Sequence, residues 1–339
     1  MHRQFVAIDL FCGAGGMSLG LRDRGIHPVV GVDLDDDATT TYTHNLGVPA
    51  LSCDIRDITR GHLDPFVPDP ASVIIAACAP CQPFSRARKT KRRHEDGELL
   101  ASVGRLVWSL RPEGVVIENV PEMASGHRSC IVARFRQRLK QAGYGIVDGI
   151  LDAKGYGVPQ TRRRYVLIAV RGAEQVTLPP PKRGGTLSVR TAIGDLPGIK
   201  AGETGSRRPL HRASRLSDLN LERIKAIPRD GGDVRSLPRR LRPKSRKTVD
   251  GFWDVYGRMA WDRPAPTLTT RCNSLSNGRF GHPDQDRAIS LLEAAVLQTF
   301  PRGYWFAGNQ ASIARQIGNA VPRKLAAALG KQLRKYLDA

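Results

Sequence analysis

Cys81 lies in the run Cys78-Ala79-Pro80-Cys81-Gln82-Pro83-Phe84-Ser85, directly after the apolar stretch Ser72–Ala77. A thiol where a strand gives way to a helix, with cations close by, has its thiolate stabilised. Arg86, Arg88 and Lys89 supply those cations, so Cys81 is a candidate nucleophile. The spacing Cys78-x-x-Cys81 also matches a redox dithiol or half of a zinc site, and spacing alone leaves both open. No second cysteine pair accompanies it, which disfavours zinc, and no metal is expected. A thioredoxin-like redox protein would be much smaller and would not need the glycine turn found further upstream.

That turn is Phe11-Cys12-Gly13-Ala14-Gly15-Gly16-Met17-Ser18, between an apolar run and a helical pattern. Glycines there let backbone amides approach a ligand at a helix N-terminus. The dinucleotide fingerprint needs a third glycine where Ser18 stands, so a nicotinamide cofactor is disfavoured. About twenty residues on, Asp33 follows the second apolar run, where a carboxylate accepts from two ribose hydroxyls. A nucleoside-containing cofactor fits both features; a structural turn beside a solvated acid is the blander reading of either alone.

Glu118 closes a further apolar run, in Glu118-Asn119-Val120-Pro121. Partly buried beside a bound base, it would share a proton with a ring nitrogen. Taken by itself, an acid here reads first as a surface or capping group. Downstream, Gln160-Thr161-Arg162-Arg163-Arg164 opens another apolar run, and period-two spacing puts Arg162 and Arg164 on one face. The segment 85–98 carries Arg86, Arg88, Lys89, Lys91, Arg92 and Arg93, as either a phosphate-contacting or a solvated loop.

These residues need elements to hold them. The runs Phe5–Leu10, 28–32, Ser72–Ala77, 114–118 and 165–170 read as buried strands alternating with helical patterns. An α/β fold with a doubly wound, mostly parallel sheet follows, with ligands beyond the carboxyl ends of its strands. From 176 to 247 the composition turns to Pro, Gly, Arg and Lys, including the basic run 239–247, as a long-looped region or a disordered linker. Trp253, Tyr256 and Trp261 favour an ordered region, because they need something to pack against. Helical periodicity returns at 290–300 and 323–337. The expected division is a catalytic and cofactor-binding domain over 1–175, completed by 305–339, with a smaller domain and hinge over 176–304.

A formal net charge of +21 points to a polyanionic partner, nucleic acid first. Six cysteines in 339 residues are too few for a disulfide scaffold and suit a reduced cytosol. No run of about 18 apolar residues is present, and 5–10 is broken by Asp9. A cytoplasmic protein is expected, nucleoid-associated if prokaryotic and without membrane partners.

In their order along the chain, these segments resemble the DNA cytosine-5 methyltransferase family. The resemblance is carried by 11–16, Asp33, Asp54-Ile55, Pro80-Cys81-Gln82, Leu99, Glu118-Asn119-Val120 and Gln160-x-Arg162-x-Arg164. It resumes at Arg263-Pro264-Ala265-Pro266-Thr267-Leu268-Thr269-Thr270 and ends at Gln316-Ile317-Gly318-Asn319-Ala320-Val321-Pro322. Nothing matches between 171 and 262, where that family has its variable target-recognition region. Two positions depart from it: Ala77-Cys78-Ala79 replaces a usual glycine, and Asp33 replaces a frequent glutamate.

The resemblance implies a class I methyltransferase, Rossmann-like, with a smaller target-recognition domain. The implied cofactor is S-adenosylmethionine, with S-adenosylhomocysteine as product. The implied substrate is a cytosine flipped out of double-stranded DNA. Cys81 would add to carbon 6, Glu118 would contact N3 and the exocyclic amine, Arg164 would hold the base, and Arg162 would assist near the nucleophile. Phe11 would stack on adenine, Asp33 would bind the ribose, Asp54 and Ile55 would meet the adenine edge, and Leu34 would belong to the same cofactor site. Gly13, Ala14, Gly15, Gly16, Pro80, Leu99, Asn319 and Ala320 would complete the cofactor pocket. Gln82, Ser85, Arg86, Asn119, Gln160 and Arg271 would meet DNA, and cations within 207–279 would divide between phosphates and base edges. A monomer acting apart from any cognate restriction endonuclease is expected.

Two rival functions stand beside this one. A branch of the family acts on transfer RNA and carries a Cys-Phe-Thr signature, which this chain lacks. A non-enzymatic nucleic-acid binder is the other, disfavoured because Cys81, Glu118, Arg162 and Arg164 are all present.

Overall fold

The structure, a computed structural model, describes residues 4–68, 72–79, 95–125, 127–182, 184–243 and 255–338, with backbone alone at 95–97 and 127–128. Pro80, Cys81, Gln82, Ser85, Arg86 and the other cations of 85–93 lie outside the described residues, as do Trp253 and 244–247. The chain divides into two compact units. One comprises Met1–Tyr156, Arg163–Lys182 and Ala320–Ala339; the other comprises Gly157–Arg162 and Arg183–Asn319.

The first unit is built on a sheet of β1 (Phe5–Leu10), β2 (Ile26–Asp33), β3 (Ala50–Ser52), β4 (Ser72–Ala77), β5 (Gly114–Asn119), β6 (Tyr144–Asp152) and β7 (Arg163–Arg171). Their order is β3-β2-β1-β4-β5-β7-β6. The pairs among β1 to β5 are parallel, and β7 runs antiparallel to both β5 and β6. Every position of β1 and β5 is buried, as in central strands covered on both faces. From β1 the chain first builds outward through β2 to β3, then returns to the other side of β1 as β4. The sheet therefore switches direction between β1 and β4, where ligands of such sheets bind.

The helices among the described residues are α1 (Gly16–Arg22), α2 (Asp36–Leu46), α3 (Arg60–Leu63), α4 (Glu95–Leu110), α5 (His127–Gln141), α6 (Val189–Ile193), α7 (Asp218–Ala226), α8 (Leu291–Leu297), α9 (Gln310–Asn319) and α10 (Arg323–Leu337). One sheet face packs Ile8, Val30, Ile75 and Ile117 together with Val103 and Leu106 of α4 and Phe135 and Leu139 of α5. Helix α2 starts where the Asp35 side chain accepts from the Asp37 N–H and stops at Gly47, which caps it in the left-handed region.

The second unit has little regular structure, and buried guanidiniums take the place of a ladder. Arg258, 1 % exposed, donates to the carbonyls of Ile224, Ile227, His282 and Gln285 and pairs with Asp286. Irregular backbone in an interior leaves carbonyls without partners, and one planar five-donor group satisfies several at once. Arg287 makes a bidentate pair with Glu293, which also completes the Ser290 capping box of α8. Tyr256 packs on Ile227, Val234, Leu237 and Leu241, with the Arg223 guanidinium 4.9 Å from its ring centre. Among the described residues, 184–243 belong to this unit, and Tyr256 and Trp261 further along have packing partners.

Candidate active site

The carboxyl end of β1 runs into the glycine turn. Phe11 has φ 59°, a left-handed conformation unusual for an aromatic residue and held by the surrounding turn. Gly13, at φ 49°, donates its N–H to Asp33 Oδ2 at 2.8 Å, while Asp35 N–H reaches Asp33 Oδ1 at 3.0 Å. Burial raises the Asp33 pKa above the ordinary carboxylate value, partly offset by these backbone donors. Both oxygens are held in place, and each keeps acceptor capacity for a further donor.

Behind the turn, a β-carbon on Gly16 would come within 2.2 Å of the Val321 carbonyl oxygen and 3.5 Å of Ala320 Cβ. Only glycine allows α1 to start this close to the segment 320–322, which brings Ala320 against the turn. Leu34, next to Asp33, is 70 % exposed, a bare apolar side chain beside a fixed carboxylate. An aromatic ring, a pinned carboxylate, glycines and an exposed leucine form a donor and contact set that suits a nucleoside.

The neighbouring turn carries Asp54 and Ile55. Cys53 N–H donates to the Asp33 carbonyl at 3.0 Å, which ties this turn to the first. Ile55 is buried, and Asp54 is held by Arg56 at 2.6 Å; that hydrogen bond keeps the Asp54 carboxyl below its ordinary value. Arg105 was not singled out by any motif, yet it clamps the turn from α4. Its guanidinium donates to the carbonyls of Ile58 at 2.5 Å, Arg56 at 3.1 Å and Ile55 at 3.2 Å. Leu99, nearly two turns earlier on α4, packs on the edge of the core.

At the end of β5, Glu118 is 6 % exposed. Arg164 Nε stands 2.9 Å from its Oε1, an ion pair without hydrogen-bond alignment. That buried oxygen has no hydrogen-bond partner among the described residues. Unsatisfied buried acceptors are costly, and the charge of Arg164 is what compensates this one. Asn119 is buried; its amide donates to the Ala79 carbonyl at 3.1 Å and its oxygen accepts from Val120 N–H. It therefore anchors the last described residue before the Cys81 segment. Cys78 is half-buried, and desolvation, then the charges of Glu118 and Asp9, push its thiol well above the usual range. A raised pKa disfavours the thiolate form of Cys78.

In the second unit, Gln160 and Arg162 sit in the interior. Arg162 donates to the carbonyls of Leu268 at 2.9 Å and Gly318 at 3.0 Å. Gln160 accepts from Leu268 N–H at 3.0 Å and donates to Gln298, whose own amide donates to Ile317 O at 2.7 Å. The three motif stretches around 160, 268 and 318 thus meet in one buried node. Gln298 completes it without any motif to reveal it. Strand β7 begins at Arg163, so the expected alternation of Arg162 with Arg164 does not extend through both. Arg271 is exposed on the same unit. Arg258 and Arg223, within the stretch expected to meet phosphates and bases, instead donate to internal carbonyls. Among the described residues, no group of three or more His, Cys, Asp or Glu side chains could hold a metal.

The mixed sheet, its switch point and the groups gathered there define the class I methyltransferase fold. The model of C-5 cytosine-specific DNA methylases matches residues 5–335, and the chain belongs to that family. It is 39 % identical over 341 residues to a Type II methylase, M.HgiDII, of Herpetosiphon aurantiacus, covering 98 % of this chain and 95 % of that one. It is 31 % identical to the Type II methyltransferase M1.HphI of Haemophilus parahaemolyticus, over 97 % of this chain and 86 % of the relative. Among solved structures, a putative DNA modification methyltransferase from an Escherichia coli prophage superposes with a TM-score of 0.78 at 22 % identity, over 99 % of this chain and all (100 %) of the other. The Schizosaccharomyces pombe Dnmt2 methyltransferase has the same fold, with a TM-score of 0.65 at 17 % identity and coverage of 99 % and 100 %.

Proposed function

We propose that this chain is a modification methylase that methylates carbon 5 of a flipped-out cytosine in a specific sequence of double-stranded DNA, through a covalent bond to Cys81. The observation that carries the reading is the buried Glu118 carboxylate oxygen without a hydrogen bond, at the edge of the sheet whose next strand leads into the Cys81 segment. Phe11, Asp33, Leu34, Ile55 and Ala320 fit S-adenosylmethionine, which when bound supplies a sulfonium methyl group.

Each residue then has a definable task. The Cys81 thiolate adds to carbon 6, which shifts electron density to carbon 5 and makes that atom nucleophilic. Glu118 holds cytosine N3 and the exocyclic amine, and a proton shared at N3 relieves charge building on the ring. Arg164 pairs with the Glu118 carboxylate and so fixes it beside the base. Asn119 fixes the backbone at Ala79 and so the start of the segment that carries Cys81. Once carbon 5 carries the new methyl group, its proton passes to water as base, the C–H electrons re-form the carbon 5–carbon 6 double bond, the sulfur–carbon 6 bond breaks, and Cys81 is regenerated as thiolate. Gln160 and Arg162 act by knitting the second unit together, and Arg271 with Gln82, Ser85 and Arg86 meets DNA. The net charge of +21 favours that polyanion. By analogy with the Type II relatives, a restriction endonuclease acts separately on the same sequence, in the cytoplasm, and the methylase acts as a monomer.

Radiolabelled S-adenosylmethionine supplied with duplex DNA or transfer RNA tests this reading. Label is expected on DNA, lost in Cys81→Ser and kept in Cys78→Ser. Label confined to RNA would overturn the DNA assignment, and equal losses in the two serine variants would overturn the roles of the two cysteines.

A further inference from the structure

The second unit contains a cavity of about 790 Å³ that none of the candidate catalytic or cofactor residues lines. Its walls include Arg207, Arg208, Arg212 and Arg302, with Trp305 between Tyr304 and Phe306. Alternation along the chain decides where these rings go. Tyr304 and Phe306 are buried and pack on Phe300, with centroid separations of 4.7 and 5.3 Å, and form a rigid apolar floor. Trp305 is 43 % exposed and offers its indole to the cavity.

The cations differ in what they have left to give. Arg302 is held by Asp195 at 2.6 Å, and the Arg212 guanidinium is taken up by the Gln310 amide oxygen in the orientation that satisfies both groups. Arg207 and Arg208 are exposed and make no side-chain hydrogen bond or ion pair of their own with any described residue. Asp195 is the acid close to this wall; it pairs with Arg302 and also lies within electrostatic reach of Arg208. The cavity thus joins two exposed guanidiniums to an exposed aromatic residue, and has room for more than one nucleotide.

We propose that this cavity binds a nucleotide unit, its phosphate on Arg207 and Arg208 and its base stacked on Trp305. Guanidiniums pair with phosphate oxygens in bidentate fashion, and an indole stacks on any base, so the site reads the chemistry of a nucleotide and not its sequence. An acidic peptide would satisfy the arginines and leave the indole unused, which makes a nucleotide the better match. The inference takes the DNA-binding reading only for the source of the ligand, an unpaired stretch of DNA strand or a free nucleotide.

A fluorescent ten-residue oligothymidylate separates this site from the site of methyl transfer, because it contains no cytosine. Binding to the full-length chain is measured by anisotropy in about 0.1 M salt. Trp305→Ala is expected to weaken binding about tenfold, the scale of one lost base stack. Trp305→Phe, which keeps a ring, should stay within about threefold of the parent. Arg207→Ala with Arg208→Ala should weaken binding similarly and lower its salt dependence. Turnover of cytosine-containing duplex at saturating concentration is expected to be the same in Trp305→Ala as in the parent, so loss of the catalytic reading would show separately. Displacement by millimolar thymidine 5′-monophosphate supports a free nucleotide as the source, and resistance to it supports a strand. Unchanged oligothymidylate binding in Trp305→Ala, or no binding by the parent chain, would overturn the proposal. So would displacement by polyglutamate as effective as by oligothymidylate, since charge alone would then account for binding.

Discussion

Arg164 Nε lies 2.9 Å from Glu118 Oε1, across the antiparallel pairing of β5 with β7. Glu118 stands opposite Val166, and Arg164, two residues away on the same face, reaches the carboxylate diagonally. The contact is short but poorly aligned, so the cation holds the acid by charge more than by a directed hydrogen bond.

Glu118→Gln should slow single-turnover methyl transfer on the order of a hundredfold while S-adenosylhomocysteine affinity stays within about threefold. Arg164→Ala acts through the same carboxylate, so the double variant should be scarcely slower than either single one. Multiplied losses in rapid-quench kinetics would show that Arg164 works independently.

Arg105 binds three carbonyls of the turn that carries Ile55, so Arg105→Ala should loosen that turn and weaken S-adenosylhomocysteine about tenfold, as read by calorimetry. Asp33→Ala removes a direct contact and should cost at least as much. Oligonucleotide affinity should be unaffected by Arg105→Ala. Equal cofactor binding by Arg105→Ala and the parent would mean that the turn holds its shape alone.

Asp9 is wholly buried in β1, accepts from Ser18 Oγ at 2.6 Å and leaves Oδ1 unbonded. Burial pushes its pKa up from 3.8 to about 7, against the opposing pull of Ser18. The folded chain therefore retains a proton that the unfolded chain has released. The stability this contributes is complete below about pH 4 and is lost as pH rises through about 7. Asp9→Asn, which stays neutral, should gain on the parent across that window by on the order of 3 kcal/mol. Urea denaturation at pH 5 and pH 8 measures it, and a difference that does not change with pH would show that Asp9 titrates normally.

Arg258 supplies donors to four carbonyls and a charge to Asp286 inside the second unit. Truncation to alanine should destabilise that unit by about 3–5 kcal/mol, because carbonyls and a carboxylate lose their partner together. Arg207→Ala, at the surface, should stay within about 0.5 kcal/mol. Thermal unfolding of the two variants compares them directly, and similar midpoints would contradict an interior role for Arg258.

Strands β1, β4 and β5 were readable as continuous apolar runs because central parallel strands are buried on both faces. Strand β3 has three residues and β6 is interrupted by Gly145, Asp148 and Gly149, so neither leaves a run to read. Both stand at the edges of the sheet, where one side lacks a neighbour. The extension of β2 back to Ile26 was hidden for a related reason: His27 is exposed and Pro28 stands inside the strand, where β2 departs from regular register against β1. Arg105 had no signal at all, since a lone arginine in a helix looks the same whether it faces water or binds a distant turn.

The chain alone determined which chemical groups exist and in what order: a cysteine after one strand, an acid after the next, glycines and an aspartate at the first two, and an excess of cations. These are properties of residue type and of local periodicity, and both are written along the chain. Tertiary structure decided which of those groups point inward. Arg258 and Arg207 are the same residue type in one basic stretch, yet one bonds interior carbonyls and the other is exposed. Burial depends on what packs from far along the chain, as when Arg164 meets Glu118, and short-range pattern carries no record of it.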